Sequence, residues 1–380
     1  MKSRIALQLV GMGLWILLTA CAGTSANKAT IAMSSESHKI DYPEEWEGRS
    51  PFRFLVVGDT QNPKPGKDRN DAERLAIYQR FSEALADSVP VVHIGDIVEN
   101  GSRQGQWRQF FDDIFWDELP VEQKRMFFPI PGNHEYKTHF FDYGGGDLGL
   151  YYERFPHIRS QRYYFFTHGD ACFVFMDAGR NGAAKLLAGE RWQNGVEEQL
   201  EWLDRTVLPF IRKQGEEVGL RRVFLFYHKP GYATPVYVKN RQSVEVLKRF
   251  DDFNKENGYG FEIFAFAGHV HTFAHIVHDY NGDGRGEIDQ FTVGGGGGTQ
   301  RGGKYFRKVE RVEDLDRYRL GKYREGVDGE GLDRELFDRL RLDNRLFGYM
   351  EVVMGDRVEF LFHRFDRKAG EFYIDYEFSR

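Results

Sequence analysis

Residues 91–100, with the sequence VVHIGDIVEN, decide the fold of this chain. Their first half is a short apolar run rich in β-branched side chains, and it stops abruptly at Gly95-Asp96. This pattern predicts a buried strand that ends in a tight turn. A carboxylate at that point lies at the edge of a sheet, where α/β proteins bind their ligands. One Gly-Asp pair indicates only a turn, but the pattern recurs at other strand ends, which favours a functional site.

An earlier strand ends in the same way. Residues 52–57 are apolar and run into residues 58–61 (GDTQ), and a helical pattern then covers residues 71–86. Strand, helix and strand at this spacing predict a right-handed βαβ unit with two parallel strands. Because parallel strands end at the same edge of a sheet, we expect Asp59 and Asp96 to lie close together.

Three later apolar runs also end in polar side chains that can bind metals. These ends are residues 132–135 (GNHE), His228 and residues 268–271 (GHVH). The full set of such strand-end residues is Asp59, Gln61, Asp96, Asn133, His134, His228, His269 and His271. Oxygen and nitrogen donors without a thiolate suit Mn, Fe, Zn or Mg better than a structural zinc site. One central carboxylate in such a set can bridge two ions about 3.5–4 Å apart.

The order of these motifs resembles that of the calcineurin-like metallophosphoesterase superfamily, from Phe52 to about Gly298. Residues 162–164 (RYY), which lead to Asp177, and residues 198–203 (EQLEWL) are similar to the purple acid phosphatase-like branch. The resemblance implies a four-layer α/β/β/α sandwich with two central mixed sheets. It also implies hydrolysis of a phosphorylated small molecule or another phosphoester substrate.

The resemblance further implies two divalent or mixed-valence metal ions, Mn, Fe, Zn or Mg, bridged by Asp96. The first metal would take Asp59, Gln61 and His271, and the second would take Asn133, His228 and His269. His134 matches the histidine beside the scissile ester, which stabilises the phosphoryl oxygens or protonates the leaving group. A hydroxide held between the metals would then attack phosphorus.

One position departs from the family pattern. The family usually has His where this chain has Gln61, and the purple acid phosphatases have Tyr where this chain has Glu99. The amide oxygen of Gln61 can still bind a metal, and a harder donor favours Mn or Mg. If Gln61 instead impairs the first metal site, the chain is a non-catalytic or weakly active tethered binding protein. The complete second site and His134 favour the enzyme.

Three basic residues follow the motif ends and are candidates for binding substrate phosphate: Arg103, Arg180 and Lys229. Taken one by one, each fits a surface or packing role better than a contact with phosphate. The formal net charge of −6 gives no overall basic footprint for nucleic acid.

Two later segments allow more than one interpretation. Alternating residues around the sequence NGDG at 281–284 predict a β-hairpin, and the spacing of Asp279, Asn281 and Asp283 resembles the start of a calcium loop. Position twelve of that loop is Gln290, where calcium loops need a bidentate Glu, so we favour the plain hairpin. Residues 302–345 are densely charged and predict a mostly helical, solvated excursion, with a substrate lid as the alternative.

The N-terminus predicts a targeting segment. Lys2 and Arg4 precede an apolar run that is too short for a membrane span. The run ends in residues 18–21 (LTAC), which resemble the lipobox of bacterial lipoproteins; an ordinary signal or an uncleaved anchor is the alternative. The resemblance implies a signal peptide at 1–20 and a lipid on Cys21, which anchors the protein in the bacterial cell envelope, on the periplasmic or surface side.

The segment after the signal peptide, residues 21–50, is polar and short of apolar periodicity, so it predicts a flexible tether. The metallophosphoesterase domain would then span residues 51–380. With Cys21 lipidated, Cys172 is the one remaining cysteine, so no intramolecular disulfide can form. Its place in an apolar strand predicts a thiol in the core.

We expect Cys21→Ser to abolish lipid attachment, because the lipid is carried on the cysteine sulfur. Radiolabelled palmitate fed to a bacterial host should label the wild-type chain and leave the variant unlabelled and released from membranes. Cys172→Ser is the control and should keep the label. A labelled Cys21→Ser chain would contradict the lipobox interpretation.

Overall fold

Alternating and continuous apolar runs form the strands of two mixed β-sheets in the computed structural model. The structure describes residues 38–41, 51–62, 70–138, 148–177, 196–232, 240–298, 341–343 and 347–380. The strands are β1 (Phe52–Val57), β2 (Val91–His93), β3 (Phe127–Pro129), β4 (Tyr164–His168), β5 (Ala171–Phe175), β6 (Arg222–Phe226), β7 (Glu262–Ala267), β8 (Phe273–His278), β9 (Ile288–Val293), β10 (Arg341–Asp343), β11 (Gly348–Met354), β12 (Val358–Asp366) and β13 (Glu371–Ser379).

Helices connect the strands of both sheets. They are α1 (Asp71–Ala86), α2 (Gln104–Asp113), α3 (Val121–Lys124), α4 (Gly149–Arg154), α5 (Val196–Trp202), α6 (Leu208–Val218) and α7 (Arg241–Glu256). A π-helical turn joins α5 to α6. No helix among the described residues is long and apolar enough to cross a membrane.

Parallel pairing at the centre of each sheet brings several strand ends to one edge. The first sheet has the order β13-β12-β11-β1-β2-β3, and the second has the order β10-β8-β9-β7-β6-β5-β4. β1, β2 and β3 are parallel, as are β5, β6, β7 and β9. The predicted parallel pair of β1 and β2 is therefore confirmed.

Aromatic side chains pack the two sheets face to face. Phe54 of β1 is fully buried, and its ring centroid lies 5.4 Å from those of both Phe173 and Phe224 on the second sheet. The neighbours of Phe224 on β6, Val223 and Leu225, point to the opposite face because successive side chains of a strand alternate. They pack there against buried side chains of α6 and α7.

The outer face of the first sheet is covered in the same way. Phe81 of α1 and Phe110 of α2 are buried, and both rings lie edge-on to His93 of β2 at 6.4 Å. Helices therefore cover the outside of both sheets, and the predicted mixed α/β fold with two central mixed sheets is confirmed. Cys172 of β5 is a buried, free thiol, as expected.

A short piece of the predicted flexible tether is packed rather than free. Ile40 is 2% exposed, and its backbone N–H donates to the carbonyl of Phe165 on β4 at 3.0 Å. The ring of His38 stacks on Tyr163 at 4.2 Å. The remainder of residues 21–50, the signal peptide at 1–20 and Cys21 lie outside the described residues. The domain boundaries therefore stay a prediction.

One part of the charged excursion at 302–345 differs from the helical prediction. Its described residues, 341–343, form strand β10, which pairs antiparallel with β8. Pairing with the edge of the second sheet gives the backbone N–H and C=O groups of these residues hydrogen-bond partners. The local charge pattern carries no information about this pairing. The rest of the excursion lies outside the described residues.

Candidate metal centre

Two groups of candidate metal ligands meet at the carboxyl ends of the central strands. Within the described ranges, one group is Asp59, Asp96 and His271, and the other is Asp96, His228 and His269; in each, ligand atoms lie within 4.8 Å of one another. Asp96 is common to both groups. All of these side chains are buried except that of His269, which is half-buried. The structure therefore brings together two carboxylates and three imidazoles that are far apart in the sequence.

The carboxylate of Asp96 lies at the middle of this arrangement. Its Oδ1 accepts the backbone N–H of His134 at 2.9 Å and lies 3.2 Å from Nε2 of His228. Burial alone would raise the pKa of Asp96, but the imidazoles of His228 and His134 hold it well below its usual range. In return Asp96 outweighs the effect of burial on His228 and raises its pKa to about 9. The buried charges therefore stabilise one another.

Two buried oxygen atoms at the centre accept no hydrogen bond from any residue that the structure describes. One is Oδ1 of Asp59, which lies 3.2 Å from Nε2 of His271, and the other is Oδ1 of Asn133. A buried acceptor without a donor costs about 1–3 kcal/mol. A divalent cation bound by these oxygens and the neighbouring imidazoles would remove that cost. The donor set therefore fits divalent metal ions, although it does not decide which metal.

Gln61 lies beside the group of Asp59, Asp96 and His271. The hydrogen bonds of its amide nitrogen set the orientation of its side-chain amide. In the amide orientation that satisfies both of its polar atoms, Nε2 donates to the backbone carbonyls of Asp96 at 3.1 Å and of Asp59 at 3.2 Å. Oε1 then lies 3.1 Å from Nε2 of His271. The amide oxygen therefore faces the same point as the ligand atom of His271, as a ligand of the first metal would.

His134 lies next to the ligands and is held by Glu99. Its Nδ1 is 2.8 Å from the carbonyl oxygen of Glu99 and 3.3 Å from Oε2 of the same residue. Burial lowers the pKa of His134, but the charges of Asp96 and Glu99 outweigh burial and raise it to about 10. Lys137 binds the other oxygen of Glu99 at 2.5 Å. Glu99 thus contacts His134 and Lys137, outside both ligand groups.

The turns that carry the ligands need unusual backbone geometry. Asp59, Asp96, His269 and His271 have φ values of 62°, 56°, 70° and 51°, in the left-handed region that costs a residue with a side chain about 1 kcal/mol or more. Of the ten residues with a side chain and a left-handed backbone in the described part of the chain, these four bear metal ligands. This backbone geometry directs the four side chains towards the metal centre.

Gly132 allows the closest approach to the shared carboxylate. A Cβ added at Gly132 would lie 2.2 Å from Oδ1 and 2.4 Å from the backbone nitrogen of Asp96. Two other glycines, Gly268 and Gly294, leave comparable room beside Oδ2 of Asp59. The glycines of the motifs are therefore required by packing as well as by turn geometry.

Glu135 has a structural role that the motif did not reveal. Its buried carboxylate accepts backbone N–H groups from Asp96, Ile97, Val98 and Gly132 at 2.7–3.2 Å. It therefore fixes the turn that carries Asp96 to the turn that carries Asn133 and His134. The only sequence signal was its place as the fourth letter of Gly-Asn-His-Glu.

The three residues predicted to bind substrate phosphate have different positions. Arg103 is exposed at the start of α2, and Lys229 follows His228 with 3% exposure. Arg180 lies outside the described residues.

His93 of β2 is buried and its Nε2 is 3.0 Å from Oγ1 of Thr60, outside both ligand groups.

The family model for the calcineurin-like phosphoesterases matches residues 52–273, more than half of the 380-residue chain. The chain therefore belongs to this family, as the order of its motifs predicted. No curated protein sequence matches it. Family membership and the two ligand groups together indicate a site for divalent metal ions of the calcineurin-like phosphoesterase type.

Three solved structures are similar to the chain. Purple acid phosphatase PPD1 from yellow lupin (Lupinus luteus) seeds has 16% identity and a TM-score of 0.55, and the match covers 87% of this chain and 53% of that one. GAP50, the anchor in the inner membrane complex of Plasmodium, has 14% identity and a TM-score of 0.49, with coverage of 87% of this chain and 88% of that one. A putative 5'-nucleotidase from Staphylococcus aureus has 13% identity and a TM-score of 0.38, with coverage of 87% of this chain and 54% of that one. Of these, the lupin phosphatase has a TM-score above 0.5, and at its low identity it supports the fold alone.

We expect Gly132→Ala to empty the metal centre, because its Cβ would displace the carboxylate of Asp96. Metal content should fall well below that of the wild type, and turnover should fall about 100-fold or more. Gly105→Ala on α2, where a Cβ meets nothing within 4 Å, is the matched control and should leave both unchanged. Normal metal content in Gly132→Ala would refute the tight packing described here.

Proposed function

We propose that this protein hydrolyses phosphoester bonds at a dinuclear metal centre in which Asp96 is the shared ligand. The observation that carries the proposal is the membership of Asp96 in two ligand groups at once. The first metal would be held by Asp59, Gln61 and His271, and the second by Asn133, His228 and His269. When bound, such ions stabilise the phosphoryl oxygens as Lewis acids and lower the pKa of a water molecule toward about 7.

His134 would serve as the proton donor of the reaction. Hydrolysis adds water across the phosphoester, so one P–O bond forms, the ester P–O bond breaks, and the leaving oxygen takes a proton. Burial lowers the pKa of His134, but Asp96 and Glu99 raise it and so favour the protonated imidazole, and the bond from Nδ1 to the carbonyl of Glu99 fixes its orientation. A positioned imidazolium can stabilise the phosphoryl oxygens and then deliver that proton.

The competing function is a tethered binding protein with an impaired first metal site. The orientation of Gln61 argues against it, because the amide nitrogen is held by two carbonyls and the oxygen faces His271. The uncompensated oxygen of Asp59 belongs to the same site. Both observations support a first site able to hold a metal.

The substrate is a phosphomonoester or a phosphodiester. Arg103, Arg180 and Lys229 stay candidates for binding its phosphate. We further propose that the enzyme acts in the bacterial cell envelope, with a lipid on Cys21 as its membrane anchor.

The function is tested with a panel of phosphomonoesters, nucleotides and phosphodiesters, each assayed with Mn, Zn and Mg. The wild type should bind about two metals per chain and turn over at least one class. Asp96→Asn should lower both monoester and diester hydrolysis to background, because both metals would lose the shared carboxylate. One metal per chain without turnover would support the binding protein, and normal turnover in Asp96→Asn would refute the shared ligand.

We expect His134→Ala to slow turnover by about 10²–10⁴-fold, which is the usual contribution of a general acid. Metal content should stay at the wild-type level, because His134 lies outside both ligand groups. The loss should be smaller for substrates whose leaving group is a stable anion, such as p-nitrophenolate, than for alkyl esters. If His134→Ala loses metal, the residue is a ligand and its assignment as proton donor is wrong.

A further inference from the structure

The loop between β8 and β9, residues 279–287, turns its polar side chains inward. Asp279 accepts two backbone N–H groups of the loop at 2.7 and 2.5 Å. Asn281 accepts the N–H of Asp283 at 3.0 Å, and Asp283 accepts that of Arg285 at 3.0 Å. The side-chain oxygens of the first, third and fifth loop residues are thereby held by backbone N–H groups of the loop itself.

A carboxylate from a different part of the chain enters this loop. Asp251 lies on α7 and is fully buried. Its Oδ2 accepts the backbone N–H groups of Tyr280 at 2.6 Å and Asn281 at 3.1 Å, which places the carboxylate against the loop backbone. Its Oδ1 is buried and accepts no hydrogen bond from the described part of the chain. An uncompensated carboxylate oxygen in such a place points to a missing cation.

The charges around Asp251 support the same conclusion. Burial raises the pKa of Asp251 to about 7, and the charges of Asp279 and Asp283 act in the same direction. Lys255 lies 3.1 Å from Oδ2 of Asp283 and so neutralises that carboxylate. A cation bound by Asp251 and Asp279 would offset the repulsion between their carboxylates.

We infer that the β8–β9 loop is a calcium site completed by Asp251. Calcium binds six to eight oxygens, from carboxylates, amides and backbone carbonyls, and loops of this spacing take their last carboxylate from position twelve. That position is Gln290, which is buried in β9 and accepts the N–H of Gly231 at 2.8 Å. Asp251 supplies from α7 the carboxylate that the sequence of the loop lacks.

This calcium site is separate from the proposed catalytic centre. His271 precedes β8, whereas the loop follows the far end of the same six-residue strand. Six residues of extended chain span about 20 Å, so the two sites lie at opposite ends of the hairpin. Calcium would therefore fasten the β8–β9 hairpin to α7 without taking part in turnover.

The test uses full-length protein loaded with manganese, titrated with CaCl2 by calorimetry and by thermal unfolding. The wild type should bind one calcium ion with a Kd of about 10⁻⁶–10⁻³ M, and saturation should raise Tm by about 3 °C. Asp251→Asn and Asp279→Asn should each weaken calcium binding at least tenfold and lose the Tm rise. Asp252→Asn, which changes the next residue on α7, is the matched control and should behave as the wild type.

Phosphoesterase turnover, if present, should be the same in all four proteins, so failure of the calcium site and failure of the proposed function give different results. Absence of calcium binding by the wild type would overturn the inference. Calcium binding that survives both Asp251→Asn and Asp279→Asn would belong to another site and would overturn the inference equally. If Asp251→Asn does not fold, Asp279→Asn on the partly exposed loop decides the result alone.

Discussion

The burial of one carboxylate, that of Asp96, is the constraint on which the rest of the structure depends. A buried charge is costly unless neighbouring groups compensate it. Here the compensation comes from the imidazole of His228, the backbone N–H of His134 and, by proposal, two cations. Because these groups follow different strands, the fold must bring the strand ends to one place. The two face-to-face sheets, packed by fully buried aromatic rings, provide that rigid frame.

The backbone geometry around Asp96 costs stability but places the ligand side chains close together. Four ligand-bearing residues have a left-handed backbone, and glycines beside them remove the side chains that would block the carboxylates. Glu135 compensates part of this cost, because its carboxylate accepts four buried N–H groups from two of the turns. Strain at the metal centre is therefore balanced by hydrogen bonds immediately behind it.

The two ends of the β8–β9 hairpin adjoin two different kinds of site. Its first end adjoins the ligand His271, whereas its loop lies against α7 and carries carboxylates unrelated to the ligand groups. The orphaned oxygens at the two ends, on Asp59 and Asp251, follow from one physical rule: a buried carboxylate oxygen needs a donor or a cation. This rule connects the inferred calcium site to the metal centre, although the residues are different.

The sequence by itself determined the parallel strands, the edge at which they end and the residues that meet there, because strand periodicity and the geometry of βαβ units are local rules. It did not determine contacts between turns far apart in the chain. The four donors of Glu135 and the docking of Asp251 against the loop arise only when those turns are brought together. Residues 341–343, within a segment predicted to be mostly helical, form strand β10 for the same reason: pairing with β8, rather than the local charge pattern, decided their structure. Tertiary contacts therefore decided which buried polar groups are satisfied.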